Sequence, residues 1–163
     1  MTTPAVPGRG PVATISCMTK DEYLPSTWQW VRDQIEAFEA SGGASANTLR
    51  DSGDPIVVIT HRGAKSGAIR KIALMRVERD GKYLAVGSKG GAPENPAWVH
   101  NFRANPEMEL QDGPVRRSYR ARELSGAERD DWWEHAVRTW GTYAGYQTKT
   151  ARLIPLFLLE PVE

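Results

Sequence analysis

The stretch from Pro55 to Val77 carries five Lys or Arg residues (Arg62, Lys65, Arg70, Lys71 and Arg76) and no Asp or Glu. In a chain whose net charge is only +1, so local an excess calls for a partner. That partner is either solvent with scattered surface carboxylates or an anionic ligand. The segment HRGAKSG (61–67) favours a phosphate or carboxylate, because a glycine turn lets backbone N–H groups approach an anion. Lys65 and Ser66 add charge and a hydroxyl donor. The turn is not a P-loop, which needs glycine directly before the lysine; Ala64 stands there. Nor does GSKGGAPENP (87–96) contain the dinucleotide fingerprint G-x-G-x-x-G, so ATP and NAD are disfavoured.

A second group is Val86-Gly87-Ser88-Lys89-Gly90-Gly91, where an apolar strand end runs into glycines. It is either a plain connection or a place where a flat ring lies against the backbone. In the second case Ser88 and Lys89 would bond ring carbonyls or an anionic tail. A third group is Trp140, Tyr143 and Tyr146, beside Gly141 and Gly145. It reads as a helical core stripe or as the aromatic wall of a pocket, and the glycines weaken the helical reading. His61, His100 and His135 lack metal-site spacing, no nucleophile elbow occurs, and Cys17 has no second cysteine to pair with. Anion handles, glycines and aromatics with little acid–base machinery suit a redox cofactor that brings its own chemistry.

The elements that must position these groups are legible from periodicity. A length of 163 residues fits one domain, large enough to need no disulfide or metal. Balanced charge gives no field for nucleic acid. No apolar run approaches the ~20 residues of a membrane span, and the N-terminus has no signal-peptide core; a cytoplasmic address is expected. Residues 1–20, rich in Pro, Gly, Thr and Ser, read as a flexible tail, and 21–163 as a single domain. Pro25 opens a helix whose stripe Trp28, Val31, Ile35 and Phe38 is expected to dock on the protein's own core rather than on a partner helix or membrane. A buried strand follows from Pro55 to Thr60, then a second over Ile69–Arg79. The Asp80-Gly81 hairpin leads into a returning strand, Lys82–Gly87. Asn95 as N-cap with Pro96 at the first helical position starts a helix that Asn105-Pro106 stops. Glu107–Gln111 and Val115–Leu124 form another hairpin. The capping-box spacing of Ser125 and Glu128 starts a helix with Trp132, Trp133, Ala136, Val137 and Trp140 on its buried face. Ile154–Leu159 is the last strand. The fold class is therefore α+β, mainly β, with about six largely antiparallel strands in a small closed or partly open barrel and helices around it.

At these residues the chain resembles the deazaflavin-dependent nitroreductase family, the A-type flavin/deazaflavin oxidoreductases. The matching stretches are THRGAKSGAIRKIAL (60–74), DGKYLAVGSKGGAPENPAWVHNFRANP (80–106), LSGAERDDWW (124–133) and YAGYQTKTARLIPLFLLEP (143–161). The resemblance implies a split β-barrel and reduced coenzyme F420 as hydride donor to an electrophilic small molecule such as a quinone, enone, unsaturated lactone or nitroaromatic. By motif position, Lys65, Ser66 and Arg70 would hold the phosphate or acidic tail. Val86, Gly87, Ser88 and Lys89 would lie beside the ring system, and Ala97, Trp98 and Asn101 would form the helix wall. Met75, Trp140, Tyr143 and Tyr146 would face the substrate, with Tyr143 or Ser88 as proton donor. Split barrels are often homodimers. The chain departs from the family at Ala64, where arginine is frequent, and at Trp140 and Met75, where the nitroimidazole-activating member has aromatic residues, tyrosine at the first. The other readings are an FMN-dependent split-barrel enzyme and a non-catalytic F420-binding protein.

Overall fold

A computed structural model describes residues 22–49 and 53–162, so the tail expected over 1–20 lies outside the described residues. Helix α1 (Gln29–Ala40) precedes strand β1 (Ile56–Arg62) and strand β2 (Ile69–Met75). Next come β3 (Glu78–Arg79), β4 (Lys82–Val86), a short helical turn at Lys89–Gly91 and α2 (Ala97–Ala104). β5 (Glu107–Asp112), β6 (Val115–Glu123), α3 (Gly126–Thr139), α4 (Thr142–Thr148) and β7 (Leu156–Pro161) complete the order. The seven strands form one sheet in the order β2-β1-β5-β6-β7-β4-β3, with antiparallel pairing between the named strands.

β2 and β3 are consecutive in the chain yet stand at opposite ends of that order, so the sheet curls until its ends meet. This is why the single strand expected over Ile69–Arg79 is broken. Met75 still pairs with Ile56 on β1, and Arg76 N–H donates to the Pro55 carbonyl at 3.0 Å. Val77 has already turned to β4, its carbonyl accepting from Leu84 N–H at 2.9 Å. The barrel closes at that corner and is split where β2 begins. Asp80 (φ +56°) and Gly81 (φ +79°) make the tight turn between β3 and β4, the double left-handed geometry that suits strand twist.

The apolar runs of β1, β4 and β7 are continuous because both faces are covered. Val57, Ile59, Ala85, Phe157 and Leu159 point into the barrel with Trp98 and Phe102 from α2. Ile56 and Val58 turn outward onto Ile35 and Phe38 of α1. Leu84, Leu156 and Leu158 turn outward onto Trp132 and Ala136 of α3. Each of these large side chains contributes roughly 1.5–3 kcal/mol by leaving water. Trp28 does not join the expected stripe: it precedes the helix, with 66% of its surface exposed.

Candidate functional site

The opening of the split barrel holds a groove of about 730 Å³. Its walls are Arg70, Lys71 and Ile72 at the start of β2, the 63–66 turn, Pro96–Asn101 of α2, Lys89, and the 24–28 segment. The volume lies in the usual range for cofactor sites. A smaller cleft of about 270 Å³ beside α1 is lined by Asp33, Glu36 and Glu39 against a single cation, Arg32, a net-acidic lining unsuited to an anion.

The basic turn is built from its own sequence. Gly63 N–H donates to the Ala68 carbonyl at 2.8 Å, and Gly67 N–H to the Gly63 carbonyl at 3.1 Å. Gly67 sits at φ +71°. The Ser66 hydroxyl accepts from Ala68 N–H at 3.0 Å, which leaves its proton to donate elsewhere. Arg62 bonds the Gly67 carbonyl at 3.0 Å. From α2, Asn101 Oδ1 accepts the Ala64 N–H at 2.8 Å, and Asn105 Nδ2 donates to the Gly63 carbonyl at 3.2 Å. Asn101 Nδ2 also lies 3.2 Å from His61 Nε2. Burial, reinforced by the Arg70 charge and partly opposed by the Ile59 backbone, lowers the His61 pKa from 6.5 to about 4. His61 is therefore neutral at pH 7, its Nε2 accepts from Asn101, and its Nδ1 has no hydrogen-bond partner at full bonding distance among the described residues.

The five cations of 55–77 separate into two kinds. Lys71 is held by Glu39 at 2.7 Å and lies 4.9 Å from the centre of the Tyr23 ring. Arg76 is held by Asp112 at 2.8 Å and Arg62 by the turn itself. Lys65 and Arg70 line the groove and form no ion pair among the described residues. Lys89, at the far wall, reaches Glu94 at 3.6 Å on the surface.

Of the residues singled out in the sequence, Lys65, Ser66, Arg70, Lys89, Ala97, Trp98 and Asn101 meet in this groove. Val86, Gly87 and Ser88 form the strand end leading to Lys89; Val86 and Ser88 are buried. The aromatic group lies elsewhere. Trp140, Tyr143, Tyr146 and Met75 pack with Val86 in the core under α3, with Trp140 edge-on to Tyr143 at 5.0 Å and to Tyr146 at 5.9 Å. Burial pushes the Tyr143 phenol above its ordinary value. Tyr143 and Tyr146 sit on α4, which corrects the preference against a helix there, while Trp140 stands in extended backbone just before it. Gly141 precedes α4, and Gly145 is on its solvent side, where a Cβ would touch nothing. α4 packs against the 89–91 turn: a Cβ on Gly91 would lie 2.8 Å from the Tyr146 carbonyl.

Three participants escaped the sequence reading of the site: His61, Asn105 and Arg152. Arg152 stands behind the 87–95 segment and bonds it at four points. No spacing pattern could reveal that, since its partners lie 57 to 65 residues earlier.

A split barrel with a cationic groove at its opening defines the class: a small barrel protein built to hold an anionic ligand. The model of the F420H(2)-dependent quinone reductase family matches residues 30–161, and the chain belongs to that family. It is similar to an F420H(2)-dependent quinone reductase of Mycobacterium tuberculosis (strain H37Rv), 34% identical over 113 residues, covering 64% of this chain and 72% of the relative. Among solved structures it is similar to an F420-H2 dependent reductase, 53% identical with a TM-score of 0.62, over 65% of this chain and 94% of that one. A second, described as a domain-swapped dimer, is 48% identical with a TM-score of 0.65, over 80% and 97%. The heme storage protein HutZ of Vibrio cholerae, 10% identical with a TM-score of 0.51 over 82% of this chain and 91% of that one, shares the fold alone. The quinone reductase and the first of these structures are named for F420, and the FMN alternative gains no support.

Proposed function

We propose that the groove binds reduced F420 and that the protein transfers a hydride from it to a quinone, with electron-poor C=C acceptors such as enones as a further class. One observation carries this reading: Lys65 and Arg70 line the groove without an ion pair among the described residues, while the other cations of that segment are engaged. Unpaired cations beside a glycine turn fit the phosphate and acidic tail of F420. When bound and reduced, the cofactor supplies the hydride.

The protein's part is to bind, orient and exclude water. Lys65, Arg70 and the Ser66 hydroxyl hold the anionic end. Ala97, Trp98 and Asn101 form the helix wall, and Asn101 also fixes the turn. The Val86–Lys89 strand end lies along the ring system. Met75, Trp140 and Tyr146, three of the five partly exposed members of their cluster, belong to the acceptor side, with Tyr143 buttressing them from beneath. Product protonation falls to water, with the Tyr143 and Ser88 hydroxyls as the side-chain candidates; burial raises the Tyr143 phenol and so weakens it as a donor. No described helix is long and apolar enough to cross a membrane. The dimeric neighbour supports a homodimer for this chain, which light scattering of the purified protein tests. The function is tested by following the loss of reduced-cofactor absorbance with menadione under anaerobic conditions; no turnover with any quinone would refute it.

A further inference from the structure

We propose that Arg152 is a positioning residue for the cofactor, acting through the 87–95 segment; this rests on the assignment of the groove to F420. Arg152 is half-buried in the connection between α4 and β7, and four of its five guanidinium N–H donors are engaged by one short stretch of chain. Nε donates to the Ala92 carbonyl at 2.9 Å. One terminal nitrogen donates to the Gly87 carbonyl at 3.1 Å and to Asn95 Oδ1 at 2.7 Å. The other donates to the Ser88 carbonyl at 2.9 Å. No carboxylate is involved. A guanidinium presents its donors in a rigid planar fork, so this set of bonds fixes the orientation of the backbone as well as its place.

The consequence follows from peptide geometry. In a trans peptide the carbonyl and the N–H of one unit point opposite ways. The Gly87 and Ser88 carbonyls face Arg152, so the N–H groups of Ser88 and Lys89 face away from it. Neither N–H donates to a described backbone carbonyl in the turn. Ser88 is right-handed (φ −75°, ψ −39°) and Lys89 is at φ +45°. That second value is uncommon for a residue with a side chain, and such geometry persists only where the surroundings over-determine it. Arg152 from behind and the close approach of Gly91 to the Tyr146 carbonyl supply that constraint. Lys89, which lines the groove, thereby has its backbone held, so its side chain leaves the turn in a set direction. Arg152 thus sets the two amides and the Lys89 side chain that meet the ring system.

The test compares wild type, Arg152→Ala and Arg152→Lys by F420 fluorescence titration, alongside amide hydrogen exchange of residues 87–92 without cofactor. In Arg152→Ala the F420 Kd rises at least tenfold, and the 87–92 amides exchange at least tenfold faster while those of β1 and β5 are unchanged. Arg152→Lys falls between, since it keeps the charge and loses the fork. Millimolar guanidinium restores part of the affinity to Arg152→Ala and none to wild type. A folded Arg152→Ala with wild-type affinity and wild-type exchange overturns the proposal, as does faster exchange spread over the whole sheet with affinity unchanged. If the alanine variant does not fold, the lysine variant is read by the same two measurements. A wild type that binds no F420 refutes the cofactor assignment, and the exchange of 87–92 then decides the clamp separately.

Discussion

Lys65, Arg70 and Lys71 sit within seven residues of one another and look alike in the sequence. The fold separates them by what each already touches. Lys65→Ala and Arg70→Ala should each weaken F420 binding by roughly 1.5–3 kcal/mol, the scale of hydrogen bonds to charged groups. Lys71→Ala should leave affinity nearly level, because Lys71 is occupied by Glu39. Added salt should weaken wild-type binding and narrow its gap to the first two variants. Equal effects at all three positions in titrations would mean a diffuse field rather than a site. His61 gives a prediction in pH. Its folded pKa, about 4, lies below the ordinary 6.5, so the unfolded chain binds the proton more readily. No stability is lost to this group above pH 6.5; between 6.5 and 4 stability falls as pH falls, by about 3 kcal/mol in all. Urea unfolding of wild type and His61→Phe at pH 7 and pH 4.5 measures the difference, and a variant as pH-sensitive as wild type would remove His61 from the account. The roles of His61 and Asn105 were hidden in the sequence because each is defined by a contact 40 or more residues away.

At the scale of elements, periodicity and turn chemistry placed the hairpins and α1, α2 and α3, and tertiary contacts changed their ends. Asn95 is the expected cap of α2, yet Pro96 occupies that place without a side-chain bond, because Asn95 Oδ1 is taken by Arg152 at 2.7 Å. Ser125 does precede α3, but the reciprocal box is absent: the Glu128 carboxylate is held by Arg122 at 2.8 and 3.0 Å. An arginine fork outbids a single backbone N–H for either side chain. The break in β2 comes from barrel closure, which no local pattern encodes. The α4 helix was missed because propensity counted two glycines without knowing that one caps the helix and the other faces solvent. Gly91 is where two elements meet. Gly91→Ala combines a left-handed φ of +84° with a 2.8 Å contact to the Tyr146 carbonyl. It should cost on the order of 1–3 kcal/mol of stability, whereas Gly145→Ala should be neutral or slightly stabilising. Thermal unfolding of the pair checks the contrast; equal midpoints would show that α4 does not press on the turn.

At the scale of the molecule, the barrel and its cofactor class were legible because three signals agreed: short strands with tight turns, a basic glycine turn, and the run SKGGAPENPAWVHNFRANP (88–106). The acceptor side was less so, since Trp140, Tyr143 and Tyr146 carry no charge pattern that separates a pocket wall from a core. Their chemistry still points to a class: Trp140 is apolar and lacks a phenolic hydroxyl, and Met75 is flexible enough to fit irregular shapes. Menadione-like quinones should therefore be reduced well and bicyclic nitroimidazoles poorly. Trp140→Tyr with Met75→Tyr should shift activity toward the nitro compound, read as loss of reduced-cofactor absorbance with each acceptor. The central claim is that the groove with Lys65 and Arg70 is an F420 site, and a fluorescence titration of the wild-type protein with F420 and with FMN tests it most directly. F420 is predicted to bind in the low-micromolar range or tighter, about 8 kcal/mol of affinity, with FMN at least tenfold weaker; FMN binding as tightly as F420 would contradict it.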